Sequence, residues 1–182
     1  IQGHKEQVRS FWLDLVKPSE VMLSCFENAF EEVMFGATIW ALNQDPNYPK
    51  VITISRVPHE INNQKIPGSR WGIDNPDSVY RVIPIGDSQS YVIRGKLGQQ
   101  LFNENHFTLW DENMKTIGLL SGNNIAVGND GSFEIFVDPN SSKGKKNHIQ
   151  TSAGAKEFYI RDTMIDWLND RPNLLDIEII PS

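Results

Sequence analysis

The spacing of apolar residues changes once along this chain, and that change constrains the fold more than any other feature. Up to about Leu42 apolar positions recur with the helical period; from Val51 onward they alternate. Val8, Phe11, Trp12, Leu15 and Val16 fall at i, i+3, i+4, i+7 and i+8, one face of a first helix that Pro18 ends. Ser19 stands where an N-cap belongs, with Glu20 in the first turn. Met22, Cys25, Phe26, Ala29, Phe30, Val33 and Ala37 carry the period toward Leu42, with Gly36 a candidate kink. Asp45-Pro46 and Tyr48-Pro49 close the helical part.

After Lys50, eight segments read as strands: Val51 to Arg56, Val79 to Ile85, Ser90 to Lys96, His106 to Asp111, Lys115 to Leu120, Ser132 to Val137, Lys156 to Ile160 and Leu174 to Ile180. Gly86-Asp87, Asn129-Asp130-Gly131 and Asp138-Pro139 are turn signals between them. Parallel pairing needs a long crossover, and no helix fits between successive segments. The pattern therefore predicts an α+β, mainly β fold: two N-terminal helices packed on an antiparallel, jelly-roll-like β-sandwich. Residues 1–48 form the helical segment and 49–182 the sandwich, expected as one structural unit. Asp162 to Asn169 reads as a short helix and Asn140 to Lys156 as a mobile loop.

Val33 to Leu42 is apolar nearly all round, so it needs cover on more than one side. The expectation is a buried centre, packed on the sheet and covered by the Val8/Phe11/Trp12/Leu15 face. The alternative is cover by a second subunit, a homo-oligomer formed through the N-terminal helices.

Composition narrows the function classes. The 182 residues carry a net charge of −6, which argues against nucleic acid as a partner. Cys25 is the only cysteine, so neither an internal disulfide nor a cysteine zinc site can form, and its place on an apolar helix face predicts an inert core thiol. The longest apolar stretch has ten residues, against the roughly 20 that span a bilayer. No membrane association is expected, and a cytoplasmic protein is favoured over a secreted one.

Catalytic signatures are missing: no P-loop, Rossmann glycine pattern, nucleophile elbow or His-Glu-x-x-His. His4, His59, His106 and His148 lie far apart, and neither metal nor cofactor is expected. The densest motif is Gly72-Ile73-Asp74-Asn75-Pro76-Asp77-Ser78-Val79-Tyr80. Asn75-Pro76-Asp77 predicts a tight turn, with Asp77 accepting local hydrogen bonds and Tyr80 entering a strand; the functional alternative has Asp77 and Tyr80 lining a pocket.

Arg56, Arg81, Arg94 and Arg161 lie in or at the ends of predicted strands. Arg81 shares a face with Val79, Ile83 and Ile85, and Arg94 with Val92, so each is expected to have an anionic partner. That partner is an internal carboxylate such as Glu134 or Asp77, or a bound anion. At least two of the four are expected to converge, with Trp71 and Trp110 as candidate apolar walls. Three functions follow as expectations: binding of a small organic, anionic or glycan ligand in a sandwich pocket; an enzyme using Tyr80, Asp77 or His59 as acid or base with an arginine clamp; or an interaction domain.

Gly72–Tyr80, Tyr91-Val92-Ile93-Arg94-Gly95, Asp130-Gly131-Ser132-Phe133-Glu134-Ile135, and Arg161 with Asp166-Trp167 occur in an order that resembles the bacterial domain family of unknown function 1214. The helical lead-in from Phe11 to Asn43 is similar to the segment that precedes this domain, so the resemblance covers most of the chain. Members often carry tryptophan after the asparagine matching Asn147, where this chain has His148. The resemblance implies a β-sandwich and no particular reaction.

Overall fold

The computed structural model describes residues 2–70, 75–98 and 104–181. Its contacts group into two compact units rather than one. The first comprises Ile1–Thr38 with Ser55–Gly72, the second Ile39–Ile54 with Ile73–Ser182. The division thus falls inside the second helix, not at residue 48.

The first unit holds α1 (Gln2–Leu15), most of α2 (Glu20–Leu42) and a hairpin of β2 (His59–Ile61) and β3 (Gln64–Ile66). Ser19 caps α2 as expected: its Oγ accepts the Met22 N–H at 3.3 Å. Trp12 of α1 stacks on Phe26 of α2 at 5.4 Å between ring centres. Gly36 does not break α2. A Cβ there would lie 3.2 Å from Ser69 Cβ, so glycine serves close approach rather than bending. The hairpin escaped the sequence reading. Its turn residues Asn62 and Asn63 have φ of 51° and 61°, the left-handed conformation that two-residue hairpin turns require and asparagine tolerates.

The expected buried centre is not there. Within Val33–Leu42 only Gly36 is buried, Val33 is 47% exposed and Leu42 81%. The face meant to cover it is open too, with Phe11 65% exposed. The residues are apolar all round as read, but the chain itself covers only part of the helix.

The second unit is the β-sandwich. Its five-stranded sheet has the order β1 (Ile52–Thr53), β4 (Ser78–Pro84), β10 (Ala155–Thr163), β6 (Asn105–Asp111), β7 (Thr116–Ser121). The four-stranded sheet runs β11 (Leu174–Ile179), β5 (Tyr91–Lys96), β8 (Ser132–Asp138), β9 (His148–Gln150). Alternate residues of both sheets fill the interior: Ile83, Phe107, Leu109, Phe158 and Ile160 from one, Tyr91, Ile93, Phe133, Ile135 and Val137 from the other. Tyr91 buries its ring and keeps its hydroxyl paired, accepting from the Gly86 N–H at 2.8 Å and donating to Pro46 O at 3.0 Å.

Three local expectations are corrected. The first predicted strand shrinks to the two residues of β1. Asp162 to Asn169 is not a helix, because β10 continues to Thr163 and tight turns follow. The loop from Asn140 contains β9, which pairs with β8 in parallel, so the pairing is not wholly antiparallel.

Candidate ligand-binding face

Strand alternation decides where each candidate residue goes. On β4, Arg81 points inward with Ile83, and Tyr80 outward with Val82. Register places Arg161 opposite Tyr80 and Ile160 opposite Arg81, so Arg81 and Arg161 occupy opposite faces of one sheet. Arg81 and Arg161 therefore do not converge. Arg81 forms a buried ion pair with Asp162 and donates to Asn173 O at 2.8 Å. Asp162 also accepts from Asn105 Nδ2 at 2.6 Å and from both amide groups of Asn173 at 3.0 Å. This network consumes the charge of Arg81 inside the protein.

On the outer face, Tyr80, Val82, Tyr159 and Ile54 form a second apolar cluster with Trp40 and Trp110 against it. Trp110 stacks on Tyr159 at 4.6 Å, and the Arg161 guanidinium lies 5.4 Å from the same ring centre. Trp40 donates its indole N–H to Glu157 Oε2 at 2.8 Å. Burial pushes the Glu157 carboxyl above its ordinary pKa, against the opposing hydrogen bonds from Trp40 and Gln44.

The Asn75–Asp77 turn exists, but its acceptor is not the expected one. Asn75 Oδ1 takes the Asp77 N–H at 2.9 Å, while the Asp77 carboxylate takes the indole N–H of Trp167 at 3.2 Å. The Tyr80 hydroxyl accepts the Asn75 N–H at 2.8 Å, tying the turn to the strand it feeds. Trp71 and Gly72 to Asp74 lie outside the described residues. Arg56 and His59 belong to the first unit. His59 is exposed, with Nδ1 2.9 Å from Val57 O, and lines a hollow of about 540 Å³ with Glu31, Glu60 and Lys65.

Arg94 is the predicted residue that lines a groove on the sandwich itself. Gly95 opposes Phe133 on the inner face, so Arg94, Glu134 and Phe136 point outward from β5 and β8. Arg94 Nε donates to Glu134 Oε1 at 3.1 Å and Nη1 to Glu178 of β11. Both carboxylates raise the arginine pKa, hydrogen bonding to Glu178 being the larger cause. Beside them Phe136 is half-buried, and Lys146 and Asn147 form the rim of a groove of about 480 Å³.

That rim is built, not loose. Asn147 Nδ2 donates to Ala126 O at 2.8 Å and Glu134 O at 2.9 Å, while its Oδ1 accepts the Ala126 N–H at 2.8 Å. Asp138, buried at the end of β8, takes Lys145 Nζ at 2.9 Å and the Asn140 N–H at 2.9 Å, with His148 Nε2 3.4 Å away. Lys145 Nζ also stands 4.8 Å from the centre of the Phe136 ring. Sequence reasoning named Arg94 and Glu134 but missed Phe136, Glu178 and Lys146. β6 and β7 intervene between β5 and β8 in the chain, so no local signal reveals that pairing.

Fold and face together define an α+β protein whose second unit is a β-sandwich with a groove of mixed aromatic and charged lining on its outer sheet surface. A solved structure shares this fold. The chain matches an uncharacterised protein from Burkholderia cenocepacia with a TM-score of 0.70 and 18% identity, over 89% of this chain and 43% of that one. It also matches the VPA0106 protein from Vibrio parahaemolyticus with a TM-score of 0.44 and 15% identity, over 61% of this chain and 32% of that one. The chain thus spans less than half the length of either. No family model matches it, and no curated protein does. No helix among the described residues is long and apolar enough to cross a membrane.

Proposed function

We propose that this protein binds a neutral, hydroxyl-rich ligand of the glycan class on the outer β5–β8 face. The observation that carries this reading is the compensation of Arg94 by Glu134 and Glu178 beside the half-buried Phe136 ring. An anion site needs cationic charge left over. Here the charge of Arg94 is answered by two carboxylates, so the patch offers donors and acceptors without a cationic surplus. Vicinal hydroxyls both donate and accept, and an aromatic ring suits the C–H face of a sugar. The enzyme reading has less support, because the Asp77 carboxylate and the Tyr80 hydroxyl already take N–H donors from Trp167 and Asn75. Membership of domain family 1214 belongs to the same proposal and rests on the order of the motifs from Gly72–Tyr80 to Asp166-Trp167.

Saturation-transfer NMR with neutral mono- and oligosaccharides, run beside citrate and succinate, tests the proposal. Neutral sugars should show transfer that Phe136→Ala and Arg94→Ala abolish while the melting temperature changes little. Response to anions alone, or sugar binding untouched by both variants, would overturn it.

A further inference from the structure

Three arginines stand on strands of the sandwich, and two of them are answered by carboxylates: Arg81 by Asp162, and Arg94 by Glu134 and Glu178. The third, Arg161 of β10, has no carboxylate partner among the described residues. It is half-buried, and its guanidinium rests on the Tyr159 ring at 5.4 Å. That contact uses the flat face of the group. The N–H donors lie in its plane, and none of them meets an acceptor among the described residues.

Register sets the neighbours of Arg161. Ile160 and Phe107 point into the core, so Arg161 and His106, which oppose each other on β10 and β6, both point outward. Tyr80 of β4 flanks Arg161 on the other side. Side chains directly opposite on adjacent strands start about 5 Å apart, so one small group can meet both. The His106 ring is half-buried and makes no hydrogen bond among the described residues; in either neutral tautomer it presents one N–H. The surrounding carboxylates leave Arg161 uncompensated. Glu104, whose carbonyl accepts the Thr163 N–H, is exposed and forms no ion pair among the described residues. Glu157 is engaged by Trp40, and Asp77 by Trp167.

We infer that Arg161 and His106 hold a small oxyanion, the carboxylate or phosphate group of an organic acid. A guanidinium presents its donors as a planar fork that two oxygens of either group match, and the imidazole N–H adds a donor from the neighbouring strand. The half-buried Trp110, stacked on Tyr159 at 4.6 Å, places an apolar ring on the same sheet face. Aromatic surroundings exclude water and strengthen a charged hydrogen bond. The net charge of −6 disfavours an extended polyanion, so a single small acid fits the site. The site belongs to the five-stranded sheet, and the proposed sugar face to the four-stranded one.

Proton–nitrogen NMR of the full chain tests the inference, with sodium benzoate and inorganic phosphate as probes and benzyl alcohol as the neutral comparison. The Arg161 Nε–H and His106 ring signals should shift saturably with at least one anion and not with benzyl alcohol. The tighter of the two anions tells a carboxylate from a phosphate source. Arg161→Gln should weaken that anion roughly tenfold or more, the loss expected for charged hydrogen bonds. Arg161→Lys keeps the charge without the fork and should fall between Arg161→Gln and wild type. Lys65→Gln, which removes an exposed cation of the first unit, should change nothing. Circular dichroism reads the fold of each variant, and should one unfold, the wild-type shift map still decides. Absence of a saturable shift at Arg161 and His106 with either anion overturns the inference. So does affinity that a folded Arg161→Gln leaves unchanged, or that Lys65→Gln lowers equally, since general charge attraction would then account for it. The sugar test reads Phe136 and Arg94 on the other sheet, so either reading can fail alone.

Discussion

Arg81 and Asp162 form an ion pair on the inner face of the five-stranded sheet, and the Asp162 side chain is wholly removed from solvent. They sit diagonally on neighbouring strands, since Arg81 registers with Ile160. A pair buried this deeply holds only because Asn105 and Asn173 supply the remaining donors.

Asp162→Ala should therefore destabilise the protein by about 3–5 kcal/mol in urea unfolding, the cost of stranding a buried guanidinium. Replacing both partners, Arg81→Met with Asp162→Leu, should cost less than Asp162→Ala alone. Equal losses in the single and double variants would show that packing, not charge, sets the penalty.

Glu157 makes the stability of the sandwich depend on pH. Its folded pKa lies above the ordinary 4.5, because burial disfavours the carboxylate. The folded state therefore holds the proton more tightly than the unfolded one, and stability falls as pH rises from the unfolded value through the folded one. Glu157→Gln should remove this component. Melting temperatures recorded from acid to neutral pH should show the variant losing less stability than wild type over that window.

In the Asn75–Asp77 turn the structural acceptor is Asn75. Asn75→Ala should cost about 0.5–2 kcal/mol, comparable with the loss of a helix cap. Asp77→Ala forfeits only an exposed contact with Trp167 and should cost less. Thermal denaturation of the two variants gives the order directly, and the reverse order would restore Asp77 as the turn's anchor.

Asp138 secures the rim of the groove. Burial alone would raise its pKa, but hydrogen bonds from Lys145 and the Asn140 N–H, with the His148 ring close by, hold it below the ordinary 3.8. A depressed carboxylate stabilises the fold above its unfolded pKa, and that contribution is lost as pH falls through the folded value. Asp138→Asn should flatten this acid limb and cost about 1–3 kcal/mol at neutral pH, the range for a lost charged hydrogen bond. Amide exchange should also quicken across residues 140–147, and unchanged exchange there would remove Asp138 from the rim's support.

Much of the architecture was legible because it rests on local periodicity. Ser19 capping α2, the alternation that buries Ile83 and Ile93, and the inward placement of Arg81 all follow from residue spacing. The β2–β3 hairpin was not legible. Asn62-Asn63 is a weaker turn signal than Asn-Gly, and its strands His59–Ile61 and Gln64–Ile66 carry no apolar alternation. β9 was hidden too, because three residues within a polar segment have too short a period to detect.

The candidate face divides along the same line. The sequence by itself pointed to an anionic partner for Arg81 and Arg94, an internal carboxylate or a bound anion, since each shares a strand face with apolar residues. Only the tertiary structure decided which partner. Arg81 is answered by Asp162 far along the chain, and Arg94 by Glu134 and Glu178 on strands that reach β5 through long detours. Likewise, the apolar run to Leu42 required cover, and only the folded chain showed how little of that cover it provides. Periodicity is written between near neighbours, whereas pairing across sheets depends on how distant strands return, and no short window of sequence contains that information.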